Sequence, residues 1–280
     1  MDNKILEKLI DKYKLLEEEH NRVLEMLKKD IFKGKKSEEN PSIMFVIGQP
    51  GSGKTTFINY ANLSNYIVIN SDDYRHFSKY SKEILTKHST YYTKLTNFDA
   101  HLWGDELFSY AINSGYSVLR EKAPIDYSLL KLIKTLLSKY DVVINVMVEG
   151  NLESLLRTRE RYEKEVLKNN NARLSNIDSH NKCYNLLPDF ISKCLICGAK
   201  VNYVNEFKII QVDNDNLNLL EKIRKESNEQ ACCNYEMRMN NIKKSMLNRN
   251  APQEQFEELI RIDKVYFDMI RSYSDNKCKK

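Results

Sequence analysis

The sequence lacks any apolar run long enough to cross a membrane. Its first residues, MDNKILEKLIDKYK, are charged throughout, whereas a signal peptide has an apolar centre. There is also no internal repeat and no long low-complexity segment. With 41% hydrophobic and 30% charged residues, the composition is that of a soluble globular protein. We therefore expect a cytoplasmic protein with no membrane partner.

A strong excess of either charge is missing as well. The chain has 44 Lys and Arg against 39 Asp and Glu, which gives a net charge of +5 that is spread along the sequence. No concentrated basic groove with interleaved aromatic residues is visible, so we expect no nucleic-acid partner.

Cysteine spacing suited to a disulfide framework is also absent. Cys194 and Cys197 form a single CxxC pair, and a zinc site would need a second pair with suitable spacing, which Cys232-Cys233 does not provide. We therefore predict reduced, mostly buried thiols. The six cysteines are Cys183, Cys194, Cys197, Cys232, Cys233 and Cys278.

The most informative segment that is present runs from Ser42 to Leu63. An apolar run, Ile43–Ile47, is followed by a glycine-rich turn and then by apolar residues at helical spacing. The turn matches GxxxxGK[ST], which arises by chance in roughly one in a hundred chains of this length. A strand, a glycine-rich loop and a helix start, in that order, indicate a phosphate-binding loop.

Each residue type in this loop suits triphosphate binding. Glycines let the backbone curl until its N–H groups point at an anion, and the following helix adds the positive end of its dipole. Lys54 can reach the β- and γ-phosphates, and the Thr55 hydroxyl can bind Mg²⁺. A glycine-rich turn without a ligand is the simpler alternative. The predicted ATP-binding residues are Gly48, Gln49, Pro50, Gly51, Ser52, Gly53, Lys54, Thr55 and Thr56.

The rest of the chain alternates strand and helix patterns. Further strands are predicted at Tyr66–Asn70, Tyr116–Glu121, Val142–Val148 and near Phe207–Val212, with helical patterns at Phe98–Ile112 and Tyr127–Tyr140. This alternation predicts an α/β fold with a three-layer parallel sheet, as in P-loop NTPases and kinases. Ligands of such sheets lie beyond the carboxyl ends of the strands, so the loop, Asp72, Glu121 and Glu149 are expected at one edge.

Three regions are predicted. Residues 1–40 form amphipathic helices that pack on the core or bind a partner, and residues 41–226 form a P-loop kinase domain. Within that domain, a helical and strongly polar lid and substrate region spans about 151–198. Residues 227–280 form a C-terminal helical extension, which could complete the acceptor pocket, dimerise or cover apolar surface.

The pattern favours a kinase over other P-loop proteins. The Asn-Lys-x-Asp segment of GTPases is missing, and the strand before Glu149 ends in a single acidic residue where motor ATPases carry a pair. Present are an Asp at the end of the second strand, Asp72, and an arginine-rich helical segment after the fourth. A kinase needs a carboxylate to accept the hydroxyl proton and cations to neutralise the transferring phosphoryl group.

Several segments together resemble the zeta toxin family, over about Ser42 to Asn214. They are Gly48–Thr55, Ile67–Arg75, Gly115–Glu121, Glu160-Arg161-Tyr162-Glu163, Ala172-Arg173, His180 and Leu187-Pro188. Members of this family are P-loop kinases, the toxins of bacterial toxin–antitoxin pairs, which phosphorylate UDP-N-acetylglucosamine on a sugar hydroxyl. The resemblance implies ATP and Mg²⁺ as cofactors, and an antitoxin bound to the N-terminal helices.

The resemblance also implies roles for single residues. Lys54 and Thr55 would hold the ATP phosphates and Mg²⁺, Asp72 would be the general base, and Arg161 and Arg173 would be lid arginines on the phosphates. Asp105 and Glu121 stand where the family keeps acidic residues of the sugar-nucleotide and metal region. Thus Asp72, Asp105 and Glu121 are predicted to bind substrate, and Thr55 and Glu121 the metal.

This chain differs from the family pattern at two places that bear on the identity of the acceptor. The family usually has Gly-Thr after its third-strand Glu, where this chain has Lys122-Ala123, and the family Glu nearest Asp105 is one methylene longer. Structural roles are also open: Asp72 or Asp73 as a helix N-cap, Arg157 and Arg161 as a solvated stripe, Glu121 as a surface residue, and His180 as a hydrogen-bonding residue of the lid.

The sequence therefore predicts ATP-dependent phosphorylation of a sugar nucleotide by a zeta-type toxin that blocks the use of a cell-wall precursor. The alternatives are a P-loop kinase of another small hydroxylated acceptor, such as an antibiotic or a dinucleotide, and a polynucleotide 5′-kinase. From a different class comes a nucleotide-gated binding module.

Overall fold

The structure is a computed structural model, which describes residues 3–61, 63–88, 91–168, 172, 174–206 and 208–277. Its described helices surround a single sheet. The α-helices are α1 Asn3–Tyr13, α2 Glu17–Ile31, α3 Lys54–Tyr60, α4 Ser81–His88, α5 Tyr92–Asn113, α6 Ser128–Leu136, α7 Asn151–Leu167, α8 Ile177–Ile196, α9 Leu219–Cys233, α10 Tyr235–Asn248 and α11 Gln253–Lys277. A 3₁₀ helix covers Ser71–Phe77.

Six strands form one mixed, mostly parallel sheet in the order β2-β3-β1-β4-β5-β6. The strands are β1 Ser42–Ile47, β2 Ile67–Ile69, β3 Val118–Lys122, β4 Asp141–Met147, β5 Lys200–Asn205 and β6 Lys208–Gln211. β2 and β3 are parallel, with Ile69 opposite Arg120, whereas β5 and β6 pair in antiparallel fashion, with Asn205 opposite Lys208. The predicted α/β class with a P-loop kinase-like sheet is confirmed, and its edge strand is antiparallel.

The predicted strands match β1, β2, β3, β4 and β6, and the N-terminal apolar pattern resolves into two helices, α1 and α2. Sequence reasoning missed β5, although Val201 and Tyr203 alternate with polar residues and are both buried. It also missed α4 and the 3₁₀ helix. The two helical elements are short, and short segments carry few periods of an apolar pattern, whereas β5 is as long as β1.

The chain divides into two compact units. One comprises Met1–Val46, Ile58–Glu121 and Thr135–Val143, and the other comprises Ile47–Phe57, Lys122–Lys134 and Ile144–Lys280. The central element of the first unit is α5. Its buried residues recur every three or four positions, as a helix with one core-facing side requires. They are Leu95, Thr96, Asp99, Ala100, Trp103, Gly104, Leu107, Phe108 and Ala111.

A buried histidine joins α2 to α5 in this unit. The His20 ring stacks on Trp103 at 5.2 Å between ring centroids, and Nε1 of Trp103 donates to the His20 carbonyl oxygen at 3.1 Å. His20 Nδ1 lies 3.3 Å from Asp99 Oδ1, and Nε2 lies 2.8 Å from Glu106 Oε2. Both ring nitrogens thus face carboxylates on α5, which fixes the N-terminal helices in the first unit.

In the second unit, the C-terminal helices share one apolar core with α7. Burying this surface removes the apolar faces of α9, α10 and α11 from water, which is the main stabilising contribution to such packing. The core residues are Leu152, Leu155, Leu156, Ile177, Ala231, Tyr235, Met239, Ile242, Met246, Leu259, Ile262 and Tyr266.

None of the helices in the described part of the chain is both long enough and apolar enough for a membrane span.

Candidate active site

The phosphate-binding loop follows β1 and depends on left-handed backbone angles. Gly51 has φ +81° and Gly53 has φ +91°, values that residues with a Cβ rarely adopt. A Cβ on Gly51 would collide with the carbonyl oxygen of Ser154, whereas one on Gly53 would meet only Met147 Cε, at 3.9 Å. Gly51 is therefore the point where the loop packs against α7, and Gly53 is required for its backbone angle alone.

Lys54 is folded back over this loop. Its side chain is buried, and Nζ donates to the carbonyl oxygens of Gly48 at 2.9 Å and Gln49 at 3.1 Å. Two further polar atoms of the loop, Gln49 Oε1 and Ser52 Oγ, are buried and have no hydrogen-bond partner among the described residues. The loop thus holds a cation over a curled backbone, and the Ser52 hydroxyl can donate to an anionic ligand, whereas Gln49 Oε1 can only accept.

Gln49 ties the loop to the elements that follow β4. Its Nε2 donates to the Glu149 carbonyl oxygen at 3.0 Å and to Ser154 Oγ at 3.2 Å. His180 Nε2 lies 2.9 Å from the same Ser154 hydroxyl. Burial, opposed by the Asn181 side chain and aided by the nearby cations Arg159 and Lys54, lowers the pKa of His180 to about 4. A neutral, hydrogen-bonding His180 agrees with the structural role that the sequence left open.

A group of charged residues adjoins this network. Glu149 is buried and pairs with Arg157, whose Nε also donates to Glu153 Oε1 at 2.7 Å. Glu149 additionally contacts the Gly150 N–H, at 3.1 Å, and the Ser227 hydroxyl. The i,i+4 spacing of Glu153 and Arg157 was the one sequence signal for this cluster. The contact with Ser227 joins residues 78 positions apart, which no spacing rule indicates.

Asp72 lies on the 3₁₀ helix that follows β2, in the first unit. The N-cap of this helix is Asn70, whose side chain accepts from the Asp72 N–H at 3.2 Å. The Asp72 carboxylate is half-exposed, and its Oδ1 accepts from Arg75 Nε at 3.0 Å and Nη2 at 2.7 Å. Burial, and next the charge of Asp72, raise the pKa of Asp73. Asp72 is therefore oriented by Arg75 and does not serve as the cap.

Arg75 is itself fixed by α5. Its guanidinium is buried and donates to the Thr93 carbonyl oxygen at 2.9 Å, to Thr96 Oγ1 at 3.2 Å and to Asn97 Oδ1 at 2.9 Å. The position of the Asp72 carboxylate thus depends on a guanidinium that α5 holds.

The other acidic candidates of the first unit lie on α5 and β3. Asp105 is exposed, and its Oδ1 accepts from Arg120, a buried residue of β3 whose guanidinium lies 4.9 Å from the Phe108 ring centroid. Glu121 is half-buried within β3 and does not follow the strand end. Asp105 is thus paired with a cation that sequence reasoning did not single out.

The lid candidates belong to the second unit. Arg161 on α7 is half-exposed and pairs with Glu165 at 3.7 Å, one turn further along the helix. Arg173, the other predicted lid arginine, lies outside the described residues. Thr55 and Thr56, at the start of α3, are exposed.

The cysteines among the described residues are free thiols: Cys183, Cys194, Cys197, Cys232 and Cys233. Burial raises the pKa of Cys183 and of Cys194 to about 12, and Cys197 is half-buried. Within the described ranges, no group of three or more His, Cys, Asp or Glu side chains is placed to hold a metal ion.

Taken together, a curled glycine loop with a folded-back lysine, on a mostly parallel sheet, defines an α/β protein of the P-loop kinase-like class. The family model for zeta toxin matches residues 28–216. The chain belongs to the zeta toxin family.

A solved structure with a TM-score above 0.5 supports the fold. A structure from the PezAT chromosomal toxin–antitoxin system of the human pathogen Streptococcus pneumoniae has a TM-score of 0.68 at 19% identity, covering 83% of this chain and 98% of that one. The native AvrRxo1-ORF1:-ORF2 complex gives 0.49 at 13% identity, over 79% of this chain and 72% of that one. The same complex with ATP has a TM-score of 0.46 at 12% identity, covering 79% of this chain and 71% of that one. No curated protein matches the sequence.

Proposed function

We propose that this chain is an ATP-dependent kinase that phosphorylates a hydroxyl of a sugar nucleotide, UDP-N-acetylglucosamine. It would act in the cytoplasm as a toxin that blocks the use of a cell-wall precursor. The observation that carries the proposal is the phosphate-binding loop with Lys54 held over its carbonyl oxygens, in a chain that belongs to the zeta toxin family.

The loop residues would bind ATP. Lys54 would exchange the carbonyl oxygens of Gly48 and Gln49 for phosphate oxygens, an exchange that needs only rotation about its flexible side chain. Thr55, exposed at the start of α3, and Glu121 would hold Mg²⁺, which usually binds through few protein groups and substrate phosphates. When bound, this ion neutralises charge on the phosphates.

Asp72 would accept the proton of the attacking hydroxyl. Three features support this role: the carboxylate is half-exposed, it is not used as a helix cap, and Arg75 fixes one of its oxygens. Arg161 and Arg173 would neutralise the transferring phosphoryl group, and Asp105 and Glu121 would contact the sugar nucleotide. For Arg161, half-exposure on α7 and a long ion pair leave the side chain able to reorient.

The direct test is to incubate the protein with ATP and UDP-N-acetylglucosamine and to look for a phosphorylated sugar nucleotide by mass spectrometry. The expected product is heavier by one phosphoryl group. Phosphate released at the same rate with and without the acceptor would contradict the proposal and favour a nucleotide-gated module.

Two variants test the assigned roles. General-base catalysis typically contributes about 10²–10⁴-fold, so Asp72→Asn should lose that factor in turnover and still bind ATP, while the neighbouring control Asp73→Asn should keep activity. Lys54→Ala should abolish both transfer and the growth arrest caused by expression. Full turnover in Asp72→Asn would remove this residue from the mechanism.

A second acceptor class is favoured by one local feature. Asp105, which pairs with Arg120, stands where the family usually has a Glu, and Lys122-Ala123 stands where it usually has Gly-Thr. Another small hydroxylated acceptor, such as an antibiotic or a dinucleotide, is therefore the alternative. Running the same assay with a panel of these acceptors separates the two.

We also propose an antitoxin partner for the N-terminal helices, α1 and α2. The family assignment motivates it, since toxins of this kind are paired with an inhibitor. Co-expression with the product of an adjacent gene should suppress growth arrest, and Ile5→Lys or Met26→Lys, at exposed positions of α1 and α2, should abolish that suppression without abolishing the growth arrest itself.

A further inference from the structure

Arg238 on α10 lies between two carboxylates of α7. Its Nε and Nη2 donate to the two oxygens of Glu160 at 2.6 and 2.8 Å, and its Nη1 pairs with Glu153. The side chains of Arg238 and Glu153 are only 13% and 11% exposed. Glu160, the bidentate partner, is 30% exposed, so the shelter from water comes from Arg238 and Glu153. A bidentate pair made by a largely buried guanidinium fixes geometry more strictly than a surface ion pair does.

This contact continues inward to the phosphate loop. Glu153 receives Arg238 on one oxygen and Arg157 on the other, and Arg157 pairs in turn with Glu149. The Glu149 carbonyl oxygen accepts from Gln49 Nε2 at 3.0 Å. A chain of charged and polar contacts therefore links α10, through α7, to the residue after the first glycine of the loop.

Two more arginine pairs hold α7 further along its length. Arg249, at the end of α10, donates to both oxygens of Glu163 at 2.9 and 2.6 Å. Arg159 of α7 donates to both oxygens of Glu258 on α11 at 2.9 and 3.0 Å. The helices that supply these partners lie beyond residue 216, where the family match ends.

We propose that Arg238 is a positioning residue, which fixes α7 and so sets where this helix presents Arg161, the residue next to Glu160. The proposal rests on the proposed function, because Arg161 is assigned there to the transferring phosphoryl group. The C-terminal helices then support the kinase site. They hold α7, which carries Arg161, through three bidentate arginine–glutamate pairs, Arg238–Glu160, Arg249–Glu163 and Arg159–Glu258.

The test uses the full chain with Arg238→Met, Arg238→Lys and the surface control Arg261→Met. Arg261 pairs with Asp178, and both side chains are mostly exposed, at 58% and 69%. Misplacing a catalytic group can cost up to about 10²-fold, so kcat of Arg238→Met should fall at least about tenfold with little change in KM for ATP. Arg238→Lys should be intermediate because it keeps the charge and loses the fork, and Arg261→Met should match the wild type.

A double variant separates positioning from stability. Arg238→Met leaves the Glu160 carboxylate without its bidentate partner, so adding Glu160→Gln should restore Tm and leave kcat low. If kcat recovers together with Tm, Arg238 is only structural and the proposal is overturned.

Hydrogen exchange gives a readout that does not need an acceptor. Amides of α7 should exchange at least about tenfold faster in Arg238→Met than in the wild type or Arg261→Met. Unchanged exchange in α7, or faster exchange with unchanged kcat, would overturn the proposal. If the wild type shows no phosphoryl transfer, the proposed kinase function is rejected. Faster exchange of α7 amides in Arg238→Met would then still show that Arg238 fixes α7.

Discussion

At the scale of single residues, Gly51 of the phosphate loop has a matched control in Gly198, which follows α8. Gly51 and Gly198 have nearly the same φ, +81° and +84°, but a Cβ on Gly51 would collide with the Ser154 carbonyl oxygen and lie 2.9 Å from Thr158 Cγ2, whereas one on Gly198 would meet nothing within 4 Å. Gly198→Ala should therefore cost about 1–2 kcal/mol, from the backbone angle alone.

Gly51→Ala should lower the free energy of unfolding by the same backbone contribution and by about 1–3 kcal/mol more, because the loop must move away from α7. Denaturant unfolding of both variants measures the difference in the free energy of unfolding, and nucleotide titration should show weaker ATP binding for Gly51→Ala only. Equal losses of stability would mean that the loop does not pack on Ser154 in solution.

His180 gives a pH prediction at the same scale. Burial, with Arg159 and Lys54 nearby, lowers its pKa to about 4, so between pH 4 and 6.5 the unfolded chain binds a proton that the folded chain does not. Stability is then full above pH 6.5 and falls as the pH drops toward 4, by up to roughly 3 kcal/mol.

Urea unfolding between pH 4.5 and 7 tests this dependence. His180→Asn should lose stability at neutral pH and flatten the slope between pH 4.5 and 6.5. The exposed His76 supplies the control, and His76→Asn should keep the wild-type slope. An unchanged slope in His180→Asn would assign the pH dependence to other groups.

At the scale of elements, α11 allows a comparison of two isoleucines. Ile262 is 1% exposed within the core that α11 shares with α7, and Ile260 is 49% exposed on the same helix. Ile262→Ala should cost about 2–5 kcal/mol of unfolding free energy, because it removes buried methyl groups and leaves a cavity. Ile260→Ala should change it by less than about 0.5 kcal/mol. Similar small effects in urea unfolding would show that α11 is not part of the core.

Elements with a strong local pattern were predictable from the sequence, and contacts between distant segments were not. The phosphate loop and β1 to β4 follow from a motif and from β-branched runs, whereas β5 has only two β-branched residues, Val201 and Val204, separated by Asn202 and Tyr203. Likewise, Gln49 and His180 meet at Ser154, more than 100 residues after Gln49. No spacing rule indicates such a meeting, because it depends on how α7 and α8 pack.

The same limit applies to charge. The sequence indicated the lid arginines as a class, but it could not show that Glu149 and Glu153 hold Arg157, or that Glu160 turns toward Arg238. Identical Glu and Arg side chains form solvated stripes on other helices, and only tertiary packing decides which of them become buried pairs.

At the scale of the whole molecule, chain connectivity predicts cooperative unfolding. The chain passes from one compact unit to the other after residues 46, 57, 121, 134 and 143. Three of these crossings lie inside strands β1, β3 and β4, so neither unit can unfold without disturbing strands that continue into the other. We expect a single two-state transition, although the chain is larger than most two-state proteins.

The single tryptophan makes this testable. Trp103 is buried in the first unit, so its fluorescence reports that unit, whereas helices α7 to α11 of the second unit contribute the larger share of the far-ultraviolet circular dichroism. Both signals should give the same urea midpoint, and Ile262→Ala, a change in the second unit, should shift the Trp103 midpoint as far as the dichroism midpoint. If only the dichroism midpoint moves, the units unfold independently, and a free energy measured with one probe then describes one unit only.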